Sequence, residues 1–411
     1  MKTIQPIEKA LLNLQKPCLA CGLVILVFIM LSISAYAQQE LIPGLRMQTT
    51  YDDNIVFSYH KPASDWIFEA FPSLRWRYST ERHLLELKAG LRGQRYASED
   101  DLNTLDQDYR LKARAAISER WNLGLSGRLA LDTTQEDEFT EEGLLLFRRD
   151  RVLYNASPEI SWNFTEKTSL SLSTPIYHVN YEGSENVDYN SEYAIFMVQH
   201  MLDDKKTSIF LRPSLGTANF ESGNSVFYDF MAGLGRNFSE RLYLNIMLGI
   251  NHTYSNLRVW RIRPLFGNVF TLTREKESFS DTGFISDGSL TWRWERGSFN
   301  AGFGRRVSAS GYGEPVTRDR LSTGLSWTLS QRLRFMASAS ITRTQSDTSS
   351  VDRDELSYYL TPAIYYRLTE NVDIGLTYRY SRIENRDTSR SADRNRIMFF
   401  IDFRDLKKLF W

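Results

Sequence analysis

In Ser73-Leu74-Arg75-Trp76-Arg77-Tyr78-Ser79-Thr80-Glu81-Arg82-His83-Leu84-Leu85-Glu86-Leu87-Lys88-Ala89-Gly90-Leu91-Arg92, two alternating runs flank one short polar phrase. Successive side chains of a strand point to opposite faces, so the first run sets Leu74, Trp76 and Tyr78 against Ser73, Arg75 and Arg77. The second repeats the split, with Leu85, Leu87, Ala89 and Leu91 against Glu86, Lys88, Gly90 and Arg92. Thr80-Glu81-Arg82 has room for only a tight turn, so the stretch reads as an antiparallel hairpin.

The joining phrase recurs along the chain. Ser118-Glu119-Arg120 and Ser239-Glu240-Arg241 are copies, and Thr165-Glu166-Lys167, Ser330-Gln331-Arg332 and Thr369-Glu370-Asn371 are close relatives. Asp203-Asp204-Lys205-Lys206 and Glu295-Arg296-Gly297 are looser ones. Each separates period-2 segments: Tyr109, Leu111, Ala113, Ala115 and Ile117 oppose Arg110, Lys112 and Arg114. Leu242, Leu244, Ile246, Leu248 and Ile250 likewise oppose Asn245, Gly249 and Asn251, and Ile397, Phe399, Ile401 and Phe403 oppose Arg396 and Asp402. Length alone would allow two or three soluble domains, but no helical periodicity, heptad or Pro/Gly/Ser linker interrupts this pattern between Leu41 and Arg404.

Residues 1–37 read as a cleaved signal peptide. Lys2, Lys9 and Lys16 precede an apolar run from Cys18 to Ile33, and Ala35-Tyr36-Ala37 supplies a small-x-small cleavage site. The competing reading is a membrane anchor, although the run falls short of the roughly 20 residues a spanning helix needs. Cys18 and Cys21, the only cysteines, would leave with the peptide, so no disulfide is expected in residues 38–411, read as one domain. Of 50 basic and 50 acidic residues, the leader takes three lysines and one glutamate. The remaining 47 against 49 give a net charge of about −2 and no reason to expect a nucleic-acid partner.

A soluble sandwich also alternates, but its strands average about 5 to 6 residues and its polar face is long-chained. Here the polar face is rich in Gly, Ser, Asn and Arg, and aromatic residues make up 13% of the chain. The expected fold is all-β: a transmembrane antiparallel up-and-down barrel, lipid outside and water inside, in the outer membrane of a Gram-negative bacterium. Longer connections are expected near residues 52–64, 97–107, 133–150, 182–188, 221–225, 255–284, 309–319, 345–355 and 383–393. With the eight short turns they join about 18 strands, an even number that leaves both termini in the periplasm. Trp121, Trp162 and Trp327, close to short turns, suit an interfacial girdle. Such a barrel is wide enough for an aqueous channel, and no segment announces a plug. Residues 255–284, with Trp260, Arg261, Arg263, Arg274 and Lys276, either fold inward as a constriction or extend a hairpin outward.

The inward parity collects Arg75, Arg77, Lys88, Arg92, Arg110, Lys112, Arg114, Arg128, Arg293, Arg306, Arg379 and Arg396, with Tyr243 and Tyr359 as stacking candidates. Glu86, Glu159, Asp229, Asp373 and Asp402 share that parity. The cations either form a path for anions, since charge in a low-dielectric passage concentrates counter-ions, or lock the wall round through ion pairs.

Tyr51-Asp52-Asp53-Asn54, Ser64-Asp65-Trp66, Pro72-Ser73-Leu74, the Ser-Glu-Arg turns, Arg148-Arg149-Asp150-Arg151 with Ser157-Pro158-Glu159-Ile160-Ser161, and Val187-Asp188-Tyr189 together resemble the outer-membrane β-barrel proteins of exopolysaccharide and capsule biosynthesis systems. The resemblance covers nearly the whole chain after residue 37 and implies a barrel that exports a polysaccharide. It also implies a periplasmic polysaccharide-export protein and an inner-membrane copolymerase as partners. Trp411 fits the terminal aromatic usual in outer-membrane barrels, but Asp405 and Lys407 interrupt the apolar parity, so either the last strand stops near Arg404 and a short tail follows, or the assembly signal is degenerate.

No catalytic residue, cofactor or metal site is expected. Glu99-Asp100-Asp101, and Glu136-Asp137-Glu138 with Glu141-Glu142, lack calcium-loop spacing, and Asp52-Asp53-Asn54 is read as shaping the first loop. Asn251-His252-Thr253 could make a hydrolytic dyad only if an acid stood beside it. The expected role is a non-enzymatic channel exporting a polysaccharide; a diffusion porin for small solutes is the alternative, and a surface enzyme the third reading.

Overall fold

A computed structural model describes residues 38–133, 149–183, 186–266, 269–346 and 353–406, with the backbone alone given for 259–266, 269, 270, 272 and 274. Residues 1–37, read above as a signal peptide, Glu136-Asp137-Glu138 with Glu141-Glu142, Arg148, the end of the chain from Lys407 to Trp411, and the side chains of Trp260, Arg261, Arg263 and Arg274 lie outside that description.

The strands are β1 (Gln38–Asp52), β2 (Asp65–Ser79), β3 (His83–Tyr96), β4 (Thr104–Ala116), β5 (Trp121–Thr133), β6 (Asp150–Asn163), β7 (Thr168–Ser173), β8 (Ile176–Tyr181), β9 (Tyr189–Met201), β10 (Thr207–Phe220), β11 (Gly223–Asn237), β12 (Leu242–Phe266), β13 (Val269–Trp294), β14 (Gly297–Ala309), β15 (Pro315–Thr328), β16 (Leu333–Ser346), β17 (Arg353–Arg367), β18 (Val372–Asn385) and β19 (Arg390–Phe403). β7 and β8 are two halves of one crossing, broken at Thr174-Pro175, and both pair with β6 and β9. The nineteen strands therefore make eighteen spans, each antiparallel to its sequence neighbours. β1 closes on β19 from Leu45↔Phe403 to Asp52↔Arg396, which leaves no open sheet edge along the wall.

The recurrent phrase makes its turn by a single device. In each copy the hydroxyl of the first residue accepts backbone N–H groups two and three positions on. Ser118 Oγ takes those of Arg120 (3.2 Å) and Trp121 (3.1 Å), Ser239 Oγ those of Arg241 (3.2 Å) and Leu242 (3.1 Å), and Ser330 Oγ those of Arg332 (3.3 Å) and Leu333 (3.0 Å). Thr80 and Thr165 do the same, and Asp204 substitutes a carboxylate. The short oxygen-bearing side chain replaces the partners that the first backbone donors of the turn would otherwise lack.

Register assigns the faces. Trp66, Phe68, Leu74, Leu129, Phe230, Ile250, Phe284, Leu376 and Phe399 share the outer parity and stand in a wide apolar belt; Ile250 is 60% and Phe284 53% exposed. Trp121 and Trp162 stack at 5.3 Å on that face, beside a short turn. A belt of this size on a closed barrel is a lipid contact, because water would make it an aggregation surface.

Of the two readings of residues 255–284, the extended hairpin is the one observed: β12 and β13, of 25 and 26 residues, stay paired from Leu242↔Trp292 to Pro264↔Phe270. Beyond Leu257, opposite the start of β11, and Ser286, where the ladder to β14 ends, they continue as a two-stranded ribbon. The expected connection at 221–225 shrinks to Glu221-Ser222 between β10 and β11.

Candidate functional site

All fourteen lumen candidates fall on the inner face. Arg75 lies opposite Lys88, Lys88 opposite Arg110, and Arg110 opposite Arg128, so four cations stand side by side on β2, β3, β4 and β5. The next inward row reads Arg77, Glu86, Lys112 and Ser126, and Arg114 stands one step beyond Lys112. Arg75, Glu86, Lys88, Arg110, Lys112, Arg128 and Asn155 line one recess of about 640 Å³. Directly opposed side chains on neighbouring strands sit about 4.5–5.5 Å apart, and like charges so placed are destabilising.

Some of this charge is neutralised. Asp108 accepts from Arg110 Nε at 2.6 Å and Arg128 Nε at 2.7 Å, and Glu69 accepts from Arg92 Nη2 at 2.7 Å. Arg396 Nε donates to Asp52 at 2.7 Å, and Arg379 lies 5.4 Å from the Tyr359 ring centre. Arg75, Arg77, Lys88, Lys112, Arg114, Arg293 and Arg306 make no ion pair within 4.0 Å among the described residues. The two sequence readings thus divide the set: four arginines brace the wall, and seven cations face the lumen unneutralised.

Nine spans away, the inner face of β13, β14 and β15 carries Arg293, Arg306, Arg318 and Arg320 toward its two ends and is neutral in between. Ser289 and Thr291 on β13 face the lumen beside Asn300, Gly302 and Gly304 on β14 and Ser322, Gly324 and Ser326 on β15. Tyr243 takes its inward place opposite Thr291.

The mouth at the long-loop end is not open in the way the sequence reading expected. Asp53 accepts from Asn395 N–H and Nδ2, both at 2.7 Å, while Asn54 Nδ2 donates to Asp393 O at 2.9 Å and Ser58 N–H to Asn54 Oδ1 at 2.8 Å. Asp52, fully buried, takes Arg394 Nε at 2.8 Å beside Arg396. Asp52-Asp53-Asn54 therefore ties residues 53–64 across the barrel seam. Phe57 then packs on Ile383 and Ala392, and Ile55 on Ile67 and Tyr96, all inward-facing wall residues. The tip of the β14–β15 hairpin also turns inward, and Tyr312 Oη reaches Glu355 at 3.3 Å. The sequence reading treated both segments as outer loops and found no plug. The apolar run Ile55-Val56-Phe57 in a segment read as a solvent-facing loop was the available signal.

His252 faces outward, its Nδ1 2.8 Å from Thr282 Oγ1 and its ring 6.4 Å from that of Tyr228. Asn251 faces the other way and donates to Asp229 at 2.5 Å, so the structure does not bring His252 to that carboxylate.

No family model matches the chain, and no curated protein matches it in sequence. Some solved structures bear a partial likeness to it. The outer membrane protein OpdK of Pseudomonas aeruginosa is 10% identical over 89% of this chain and 99% of its own, with a TM-score of 0.46. The outer membrane channel DcaP of Acinetobacter baumannii is 11% identical over 90% and 98%, at 0.40. The copper transporter OprC is 10% identical over 85% of this chain at 0.46, and the chain spans 64% of that protein's length. Likenesses this distant carry no argument about the chain. The closed eighteen-span wall, apolar outside and polar within, is itself that of a β-barrel of a Gram-negative outer membrane.

Proposed function

We propose that the barrel passes hydrated anionic solutes. The observation that carries this reading is the row Arg75, Lys88, Arg110 and Arg128, with Lys112 beside it and Asp108 and Glu86 as its counter-charges among the described residues. Opposing four cations across adjacent strands works against the fold, and their unneutralised members turn toward water where an anion would meet them. The rows of Ser, Thr, Asn and Gly on the facing wall, between its end arginines, leave a solute hydrated.

A polymeric anion, the cargo implied by the resemblance to polysaccharide-export barrels, is the second reading. Arg110, Lys112 and Arg114 occupy successive inward positions of one strand. Their spacing of about 6.8 Å along the strand suits successive charges of a chain better than one small ion.

Purified protein in a planar bilayer tests the first reading. Under a salt gradient the reversal potential should show chloride favoured over potassium. A cation-selective pore, or a sealed bilayer, would refute it. The polymer reading requires that a clean deletion strain lose surface glycan and retain precursor inside; unchanged surface glycan leaves the small-solute channel standing.

A further inference from the structure

The β14–β15 hairpin leaves the barrel wall at its tip. β14 pairs with β13 only as far as Arg305, opposite Ser286, while its ladder with β15 runs on to Ala309↔Pro315. β15 pairs with β16 only from Thr317 onward. The tip, residues 310–314, holds its own shape: Ser310 Oγ donates to Glu314 O at 2.8 Å, and Gly313 N–H to Ser310 O at 3.1 Å.

Its contacts run to both sides of the mouth. Val187 N–H, between β8 and β9, donates to Gly311 O at 2.7 Å, and Ser222 Oγ, between β10 and β11, donates to Gly313 O at 2.6 Å. On the other flank Ser346 Oγ of β16 donates to Glu314 Oε1 at 2.7 Å, and Arg353 of β17 lies 3.2 Å over the Tyr312 ring. Ala309 at the hairpin's shoulder packs into the inner apolar cluster of Tyr189, Phe220, Phe227 and Leu257. A segment touching strands on both flanks of its own is a chord across the opening. Gly313 has φ +79°, and a Cβ there would stand 3.0 Å from Val187, so the approach requires glycine.

We infer that this tip is a gate, closing the mouth when seated and opening it when displaced. The inference rests on the channel reading above. Hydrogen bonds, a ring contact and the apolar packing of Ala309 and Tyr312 hold the buried tip, but on a hairpin end past the last ladder bonds to β13 and β16, so the seat can open without disturbing the eighteen spans.

The test compares conductance in four proteins in planar bilayers. They are the parent, a variant lacking residues 311–313, and Val187→Cys/Gly311→Cys in reduced and oxidised form. The backbone bond between positions 187 and 311 brings their Cα atoms within disulfide reach. The oxidised pair should conduct at least about twofold less than its reduced form, and the deletion at least about twofold more than the parent. Oxidised and reduced pairs that conduct alike, with a deletion equal to the parent, overturn the gate and leave the channel. No conductance from any of the four overturns both. Should the deletion fail to assemble, the cysteine pair decides alone.

Discussion

The wall of β3, β4 and β5 and the wall of β13, β14 and β15 are made by the same alternating strands, with the same lipid face, and differ in their inward positions. The first carries Lys88, Arg110, Lys112, Arg114 and Arg128; the second carries Ser289, Thr291, Asn300, Gly302, Ser322 and Gly324 between arginines at its two ends, Arg293 at one and Arg306, Arg318 and Arg320 at the other. Folding alone would favour the neutral rows, since opposed like charges weaken a ladder. The cationic rows of β3, β4 and β5 are therefore not explained by the fold, and the neutral rows of β13, β14 and β15 are their internal control.

The largest expected effect comes from reversing the unneutralised cations. Arg75→Glu with Lys88→Glu and Lys112→Glu should invert ion preference, read as a change of sign of the reversal potential. If the sign survives, the cationic wall does not set selectivity. The same three charges introduced on the other wall, at Ser289, Asn300 and Ser322, should leave the sign unchanged and alter only conductance.

Asp108→Asn is expected to sharpen the contrast. It frees Arg110 and Arg128, so anion preference should rise, while thermal unfolding should show a loss of about 1 kcal/mol from two partly exposed ion pairs. A drop in anion preference would mean that Asp108 shapes the path rather than neutralising it.

Smaller effects belong to residues outside both walls. Burial, then the nearby Glu355, pushes the Tyr59 hydroxyl up to about 12, against the pull of Arg390 and Arg353. A raised phenol pKa favours the folded neutral form below pH about 10 and loses that contribution as pH rises through 12. Amide exchange in residues 53–64 should accelerate across that window, and Tyr59→Phe should remove the dependence. Because Tyr59 Oη is buried without a hydrogen-bond partner among the described residues, the substitution should not lower stability.

The smallest effect concerns a turn. Asp204 is held down to about 2 by the Thr207 hydroxyl first, and then by the backbone N–H groups of Lys206 and Thr207. A depressed carboxylate stabilises the turn above its ordinary pKa near about 4 and loses this as pH falls through 2. In Thr207→Ala the NMR titration midpoint of Asp204 should move up, with ion selectivity unchanged.

Much of the barrel was legible in the order of residues. Period-2 alternation needs only the strand's own geometry, so Leu74, Trp76 and Tyr78 were placed outward and Arg75 and Arg77 inward without knowledge of any neighbour. The Ser-Glu-Arg turns were equally local, because Ser118 and Ser239 bond to residues two and three positions on. Even the strand count followed, since a hairpin joins its immediate successors. The sequence left 255–284 open between a constriction and an extended hairpin, because its Ser, Thr and charged residues fit either, and the β12–β13 pairing chose the hairpin.

By itself the sequence determined the alternating faces, the turns, the eighteen crossings and the parity of every lumen candidate, all properties of a residue and its nearest chain neighbours. Tertiary structure decided which cations keep a counter-charge and what covers the mouth. Asp108 reaches Arg128 only because β4 and β5 pair in one register, and Tyr312 reaches Glu355 only because the wall has already closed. Those contacts depend on closure of the ring, which no local pattern encodes.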